Sequence, residues 1–138
     1  MSRKKKKNKS QRLLRIAVLI SGAGTSLQNL IDRIADGRLP HVQIVVVISS
    51  RSDTQGVQRA QAAGLPVVAG ANPGVAGIVA NGITGRLVDA GAPDRFADAI
   101  TKLLDDSKER ARMGAAASAK AARQHGIETA AAILDREL

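Results

Sequence analysis

The sequence predicts an α/β fold: a Rossmann-like, open, mostly parallel sheet of about four strands, with flanking helices and a helical C-terminus. Apolar runs rich in β-branched residues recur between residues 13 and 70, and the first two are each followed by apolar residues at helical spacing. Three further amphipathic segments close the chain after residue 92. This alternation is typical of a doubly wound sheet with right-handed crossovers.

The first strand and helix are predicted by residues 13–37. "LLRIAVLI" at residues 13–20 is an apolar run interrupted by one arginine, which is the pattern of a strand buried on both faces. "LQNLIDRIADG" then places four apolar residues at helical spacing, and Gly37 predicts the end of the helix.

The next two strands flank a second helix. "HVQIVVVISS" is rich in β-branched residues, as strands are. "SDTQGVQRAQAAG" predicts a helix with Ser52 or Asp53 as N-cap and Gly64 as its C-terminal stop. "LPVVAG" is the third strand, and Pro66 must stand at its start because proline cannot donate to a strand ladder.

The segment after Gly70 is turn-rich. "ANPGVAGIVANGITGRLVDAGAP" predicts a short helix near residues 75–80 and a short strand, "GRLVD". Three helices follow: "PDRFADAITKLLDD", with Pro93 at the first helical position; "SKERARMGAAASAKAARQH", with Ser107 as cap; and "IETAAAILDREL".

Composition limits the classes of function. Of the 21 Lys/Arg residues, seven fall in residues 1–12, which contain no acid, so the remaining 14 bases stand against 12 acids. We expect residues 1–12 to be a disordered basic tail that attracts nucleic acid, if at all, without sequence specificity. The chain has no cysteine and no apolar run long enough for a membrane helix. We therefore expect a cytoplasmic protein without a membrane partner.

The turn "SGAGTS" after the first strand is the strongest candidate site. It stands at the carboxyl end of a strand and the N-terminus of a helix, where backbone amides and the helix dipole favour an anion. The candidate phosphate-binding residues are Gly22, Gly24, Thr25 and Ser26. The alternative is that the glycines serve only the backbone geometry of the turn, because the dinucleotide pattern is incomplete and no phosphate-loop lysine is present.

A second glycine-rich turn, "GANPGVAG", is a weaker candidate for approach to a phosphate. Its candidate residues are Gly70, Asn72 and Gly74. A plain turn explains the same glycines.

Residues 15–67, "RIAVLISGAGTSLQNLIDRIADGRLPHVQIVVVISSRSDTQGVQRAQAAGLPV", resemble the N-terminal part of phosphoribosylglycinamide formyltransferase. The resemblance implies that Gly24, Thr25 and Ser26 hold the phosphate of glycinamide ribonucleotide, with Ser26 replacing the family's asparagine. The family's "NxHPSLLP"-like catalytic segment is absent, and the only histidines are His41 and His125.

From about residue 60 onward the chain resembles the C-terminal end of retaining glycosyltransferases of the family 4 type. "AAGLPVVAGANPG", "NGITGRLV" and "RARMGAAA" carry the resemblance. It implies that the two donor-binding glutamates of the E-x7-E motif are replaced by Arg51 and Arg59. A later glutamate falls on Gly77, and the glycine pair falls on Pro73 and Gly74.

These resemblances predict one α/β domain, residues 13–138, with a formyltransferase-like half (13–66) and a glycosyltransferase-like half (67–138). We interpret it as a recombined, engineered chimera; a natural fusion or a truncated reading frame would give the same pattern. We expect no catalytic residues, no metal, no cofactor and no turnover, with weak phosphate or ribose-phosphate binding at the first turn. The alternatives are a residual formyltransferase and a nucleotide-sugar-binding fragment.

The expected partner is a phosphate-bearing small molecule. A homodimer is a further hypothesis, since recombination leaves apolar faces without the domains that covered them in each parent.

Overall fold

The computed structural model describes residues 12–21, 23–49 and 54–137, and for residues 54 and 125–137 it describes the backbone alone. Four strands and five helices alternate in the described part of the chain: β1 (Leu14–Ile20), α1 (Thr25–Ala35), β2 (Val42–Ser49), α2 (Thr54–Ala62), β3 (Val67–Gly70), α3 (Pro73–Ala76), β4 (Arg86–Val88), α4 (Pro93–Leu104) and α5 (Ser107–Glu137).

The four strands form one parallel sheet in the order β1-β2-β3-β4. One hydrophobic core contains Leu27 of α1, Val57 of α2 and Val75 of α3, and a second core contains Leu103 of α4 and Met113 of α5. The predicted α/β sheet with helices on both faces is therefore confirmed. The strand order runs in one direction, so the described sheet lacks the reversal point at which doubly wound sheets form a ligand crevice.

A bulge in β2 divides its side chains between the two cores. Ile16 pairs with Ile44 and Ala17 pairs with Val46, so Val45 is an extra residue opposite β1. Val45 and Val46 consequently both lie in the core beneath α4 and α5. The bulge lets β2 supply two adjacent valines to the same face.

The prediction that the first strand is buried on both faces is wrong. Ile16, Val18 and Ile20 pack into the core beneath α1, but Leu14 is 56% exposed and Leu19 is 76% exposed. The physical reason for the exposure of Leu19 is position: β1 stands at the edge of the sheet, and the core formed by α4 and α5 contains residues of β2, β3 and β4 only.

Helix α5 crosses the amino ends of β3 and β4. Its Gly114 packs so closely on Gly64 that a β-carbon at Gly114 would overlap the Gly64 carbonyl. Arg112 donates to the carbonyl of Gly82 at 2.8 Å, and Lys120 donates to the carbonyl of Ile78 at 2.8 Å. The "NGITG" and "RARMGAAA" motifs thus meet near the amino ends of β3 and β4.

Several helix boundaries follow the local signals. Gly37 and Gly64 adopt left-handed φ angles of 86° and 72° just after α1 and α2, as helix stops do. Pro93 opens α4 as predicted. Pro66 lies just before β3, as predicted.

Other boundaries differ from the prediction. The last two predicted helices are one continuous helix, α5, since a single glycine at residue 126 costs a helix only about 1 kcal/mol relative to alanine. The short helix is Pro73–Ala76 rather than 75–80, because Asn72 caps it. Asp106 accepts the bond from the Glu109 amide that was expected of Ser107. Ser52 and Asp53, the predicted caps of α2, lie outside the described residues.

No helix within residues 12–21, 23–49 and 54–137 is long and apolar enough to cross a membrane.

Candidate functional site

The N-terminus of α1 presents backbone amides at the carboxyl end of β1. Gly24 is the N-cap residue, with φ 80° and ψ 25°, and its carbonyl accepts the first helical bond from the Gln28 amide at 2.8 Å. No side chain caps this end of the helix. The amides of residues 25–27 therefore precede the first intrahelical bond, and α1 also contributes the positive end of its dipole there.

A cavity of about 250 Å³ lies against this turn and is lined by residues 18–21 and 23–27. It brings together three of the four predicted phosphate-binding residues, Gly24, Thr25 and Ser26. The hydroxyl-bearing residues Thr25 and Ser26 are exposed, while Gly24 is buried. The fourth, Gly22, lies outside the described residues.

Gly24 is required by packing as well as by its backbone angle. A β-carbon at this position would lie 2.7 Å from the Cα of Gly56 in α2, closer than real contacts allow. Gly24 and Gly56 thus let the turn and α2 approach at backbone distance. This requirement holds whether or not the turn binds a ligand.

Arg59 of α2 contacts the turn and is not among the residues that line the cavity. Its Nε donates to the Ala23 carbonyl at 3.0 Å, and its Nη1 lies 3.5 Å from Oε1 of Gln28. None of the ion pairs in the described part of the chain involves Arg59. Its positive charge stands beside the turn, and no carboxylate of the described residues forms an ion pair with it.

Sequence reasoning missed this role of Arg59. The sequence identified Arg59 only as the replacement of a donor-binding glutamate. It offers no local signal that a residue 36 positions further along the chain would contact Ala23. Only the packing of α1 against α2 reveals the contact.

The second glycine-rich turn is organised by Asn72. Its Oδ1 accepts a bond from the Val75 amide at 3.0 Å, and its Nδ2 lies 3.4 Å from the Gly70 carbonyl. Gly70 is the buried last residue of β3, and Gly74 is exposed within α3. The amide side chain of Asn72 is therefore engaged in shaping its own turn.

The two candidate turns lie at the same end of the sheet but do not line the same cavity. Both follow the carboxyl ends of parallel strands, β1 and β3, and β2 lies between them. Two strand spacings separate β1 from β3, which is roughly 10 Å. The cavity at the first turn is lined by none of Gly70, Asn72 and Gly74.

A larger, mostly apolar cavity of about 460 Å³ lies at the opposite end of the sheet. Ile34, Ile44, Leu65 and Arg110 are among its lining residues. The Arg110 guanidinium is engaged by the Leu103 and Leu104 carbonyls, each at 2.7 Å, where it closes the end of α4. Gln43 and Ser107 are the other polar residues in the lining.

An ionic cluster joins β4 to α5. Arg112 donates two hydrogen bonds to the Glu109 carboxylate, and Arg86 lies 3.6 Å from the same carboxylate. The hydrogen bond from Arg112, followed by the charges of Arg112 and Arg86, lowers the pKa of Glu109 below its ordinary value. The same bond raises the pKa of Arg112. Within the described residues, no group of three or more metal-ligating side chains occurs.

Comparison with known families matches residues 44–120 to the glycosyl transferases group 1 family. The D-inositol 3-phosphate glycosyltransferase of Xylanimonas cellulosilytica is 41% identical over 93 residues, which are 66% of this chain and 22% of that protein. The trifunctional purine biosynthetic protein adenosine-3 of Drosophila melanogaster is 50% identical over 58 residues, 41% of this chain and 4% of that protein. The chain thus spans about a fifth of the first relative and far less of the second.

Solved structures of low sequence identity share the fold. The C-terminal domain of the group 1 glycosyl transferase LpcC from Francisella tularensis matches with a TM-score of 0.53 at 13% identity, covering 86% of this chain and 90% of that one. Anabaena HepE, solved with UDP and glucose, matches with a TM-score of 0.55 at 20% identity, covering 82% of this chain and 39% of that one. The relationships to both predicted parent families are confirmed, and the glycosyl transferase match begins inside β2, before the predicted junction near residue 66.

Proposed function

The chain belongs to the group 1 glycosyl transferases through residues 44–120, and we propose that it is a recombined α/β domain that binds a phosphate monoester at the N-terminus of α1 without catalytic turnover. The phosphate would occupy the cavity beside Gly24, Thr25 and Ser26. A ribose phosphate is the ligand class that best suits the resemblance of this turn to the formyltransferase family.

The observation that carries the proposal is the uncapped N-terminus of α1. No side chain caps this helix end, so its first amides remain available to an anion. The hydroxyls of Thr25 and Ser26 line the same cavity and add two donors. Arg59, 3.0 Å from the Ala23 carbonyl, adds a positive charge behind the turn.

The absence of turnover rests on the residues at the expected catalytic positions. Formyl transfer requires a group that handles the amine proton and a donor that stabilises the oxyanion. The chain has no "HPS" segment, and Arg51 and Arg59 stand where the glycosyltransferase resemblance places carboxylates. We propose that neither parent reaction proceeds.

A nucleotide-sugar-binding domain is the second candidate function. The family match and the HepE complex with UDP and glucose favour it. The second turn, after β3, would be its diphosphate site. The engagement of Asn72 with Val75 and Gly70 argues for a turn that is complete without a ligand, so we rank this candidate below the first.

Calorimetric titration of the full chain with ribose 5-phosphate, glycinamide ribonucleotide and a uridine diphosphate sugar separates the candidates. We expect saturable binding of the two phosphate monoesters. Saturable binding of the nucleotide sugar alone would reverse the ranking. A formyl-transfer assay that exceeds background would contradict the absence of turnover.

The T25E variant ties the binding to the turn. A carboxylate at the exposed first position of α1 interacts favourably with the helix dipole but repels a phosphate. We therefore expect the melting temperature to stay unchanged or rise while phosphate binding is lost. The matched control is S107D, which places a carboxylate at the first position of α5. Equal loss of binding in both variants would place the site elsewhere.

A further inference from the structure

The open edge of β1 carries backbone groups that face away from the sheet. The Leu14 amide donates to the His41 carbonyl at 2.7 Å, on the side of β2. Since successive residues of a strand direct their N–H and C=O groups to opposite sides, the groups of Arg15, Ala17 and Leu19 face the open edge. Among the described residues, no strand pairs with β1 on that side.

The side chains of β1 are mostly apolar and do little to prevent another strand from pairing with its open edge. β1 contains no proline and no lysine, and its single charge is Arg15. Leu13, Leu14 and Leu19 account for three of the five large hydrophobic residues exposed in the described part of the chain. Edge strands that avoid pairing are usually short, charged or interrupted by proline, whereas β1 has seven residues, no proline and a single charge.

We propose that β1 pairs antiparallel with β1 of a second copy of this chain, about a twofold axis at Ala17, so that two four-stranded sheets become one of eight strands. This register pairs all seven residues of β1, with Leu14 opposite Ile20 and Arg15 opposite Leu19 of the partner. The edge groups of Arg15, Ala17 and Leu19 then exchange roughly six hydrogen bonds.

Charge disfavours one alternative register. A twofold axis at Arg15 would place the two arginines directly opposite each other, which is destabilising. With the axis at Ala17, the methylene stem of Arg15 lies across from the partner's Leu19 instead and covers part of its exposed surface. A second copy is thus complementary to the edge that the first copy presents.

The basic tail is a poor alternative occupant of this edge. Residues 1–12 contain no apolar residue besides Met1 and carry seven positive charges. Such a segment has low strand propensity and no side chains to cover Leu19. The apolar character of β1 calls for an apolar partner strand, which a second β1 provides.

The same register has a consequence for the phosphate site, and this part rests on the proposed function. Leu13 lies opposite Ser21 of the partner subunit, so Arg12, which is exposed, comes beside the glycine turn of the other copy. Each copy would thereby supply a cation to the other's phosphate. Arginine is well suited to this role because its guanidinium binds phosphate oxygens in pairs.

Sedimentation velocity of the full chain over a concentration series tests the dimer. L19K places a lysine opposite Arg15 of the partner at two symmetric positions, and we expect the dimer dissociation constant to rise about fivefold or more. L19E forms two cross-strand ion pairs, and we expect about fivefold tighter association. The matched control is I83K, which removes another exposed large hydrophobic residue, 55% exposed, outside the edge.

A chain that stays monomeric at all concentrations overturns the proposal, as does a dimer that responds equally to L19K and I83K. Hydrogen exchange supplies a second readout: dimerisation should protect the amides of Arg15, Ala17 and Leu19, and L19K should remove that protection. Deletion of residues 1–11 should leave the dimer intact, and its loss would assign the contact to the tail instead.

The contribution of Arg12 is measured separately. R12A should weaken ribose 5-phosphate binding at chain concentrations at which the dimer forms but not at concentrations at which the chain is monomeric. An equal effect at both concentrations overturns the contribution across the dimer. If the chain binds no phosphate at either concentration, the proposed function fails while the sedimentation result still decides the dimer.

Discussion

Arg59 of α2 donates its Nε hydrogen bond to the backbone carbonyl of Ala23, 3.0 Å away in the turn that opens α1. Ala23 lies before the segment that matches the glycosyl transferase family, and Arg59 lies within it. Arg59 also belongs to the formyltransferase-like half, residues 13–66, so the turn is held by a residue from the region where the two resemblances overlap. The candidate phosphate site therefore depends on the packing of α2 against the turn as well as on its own lining.

R59A should weaken both the fold and the site. Loss of a partly buried, charge-assisted hydrogen bond should lower the free energy of unfolding by about 1.5 kcal/mol. Removal of the nearby charge should weaken ribose 5-phosphate binding about fivefold. Urea denaturation and calorimetry measure the two effects. R33A is the control, since Arg33 bonds only to Asn29 on the exposed face of α1 among the contacts described; equal losses would exclude a specific role.

G24A and G37A should differ in cost although both glycines have left-handed φ angles, 80° and 86°. Each alanine should cost about 1 kcal/mol or slightly more for the backbone conformation. A β-carbon at Gly37 meets nothing within 4 Å, whereas at Gly24 it lies 2.7 Å from Gly56 Cα. We expect G24A to cost at least about 1 kcal/mol more in chemical denaturation. Equal costs would contradict the close approach of the turn to α2.

T84V should measure how much the buried Thr84–Gln61 hydrogen bond contributes to the free energy of unfolding. Thr84 Oγ1 accepts bonds from the Ala80 amide at 2.8 Å and from Gln61 Nε2 at 3.2 Å. Valine leaves both donors unsatisfied, so we expect a loss of about 2 to 3 kcal/mol in the free energy of unfolding. Adding Q61M should recover part of this loss, and denaturation of the parent chain, the two single variants and the double variant completes the double-mutant cycle. Simple additivity would show that the pair is uncoupled.

Glu109 should titrate below its ordinary pKa, chiefly because Arg112 donates hydrogen bonds to it. A carboxyl whose pKa is lower in the folded state stabilises the fold above its unfolded pKa, about 4.3, and this contribution disappears as pH falls through the folded value. Carboxyl NMR titration should show the pKa of Glu109 rising in R112Q. R123Q changes an exposed arginine on the same helix and should leave that pKa in place.

Local chemistry in the sequence was sufficient for the positions of the strands, several helix ends and the first turn. Gly37, Gly64 and Pro93 act as their positions predict because each signal operates within one turn of chain. The alternation of apolar runs and helical segments likewise predicts the parallel sheet. The cavity at Gly24, Thr25 and Ser26 follows from the same alternation.

The sequence could not show which elements pack against each other in the fold. The apolar run of β1 reads the same whether two faces are covered or one, and its edge position depends on the order of all four strands. The role of Arg59 depends on how α1 and α2 pack. The length of α5 depends on the balance between one glycine and a long alanine-rich segment, which no single residue decides.

The course of α5 beneath the sheet has a consequence for synthesis of the chain. Arg112 and Lys120 close the Gly82 and Ile78 carbonyls, so the loops before β4 obtain these partners late. A ribosome adds roughly 5 to 20 residues per second, and all four strands precede these side chains in the order of translation. Until α5 emerges, the Gly82 and Ile78 carbonyls at the amino ends of the strands lack these donors, and the sheet gains them only when α5 docks.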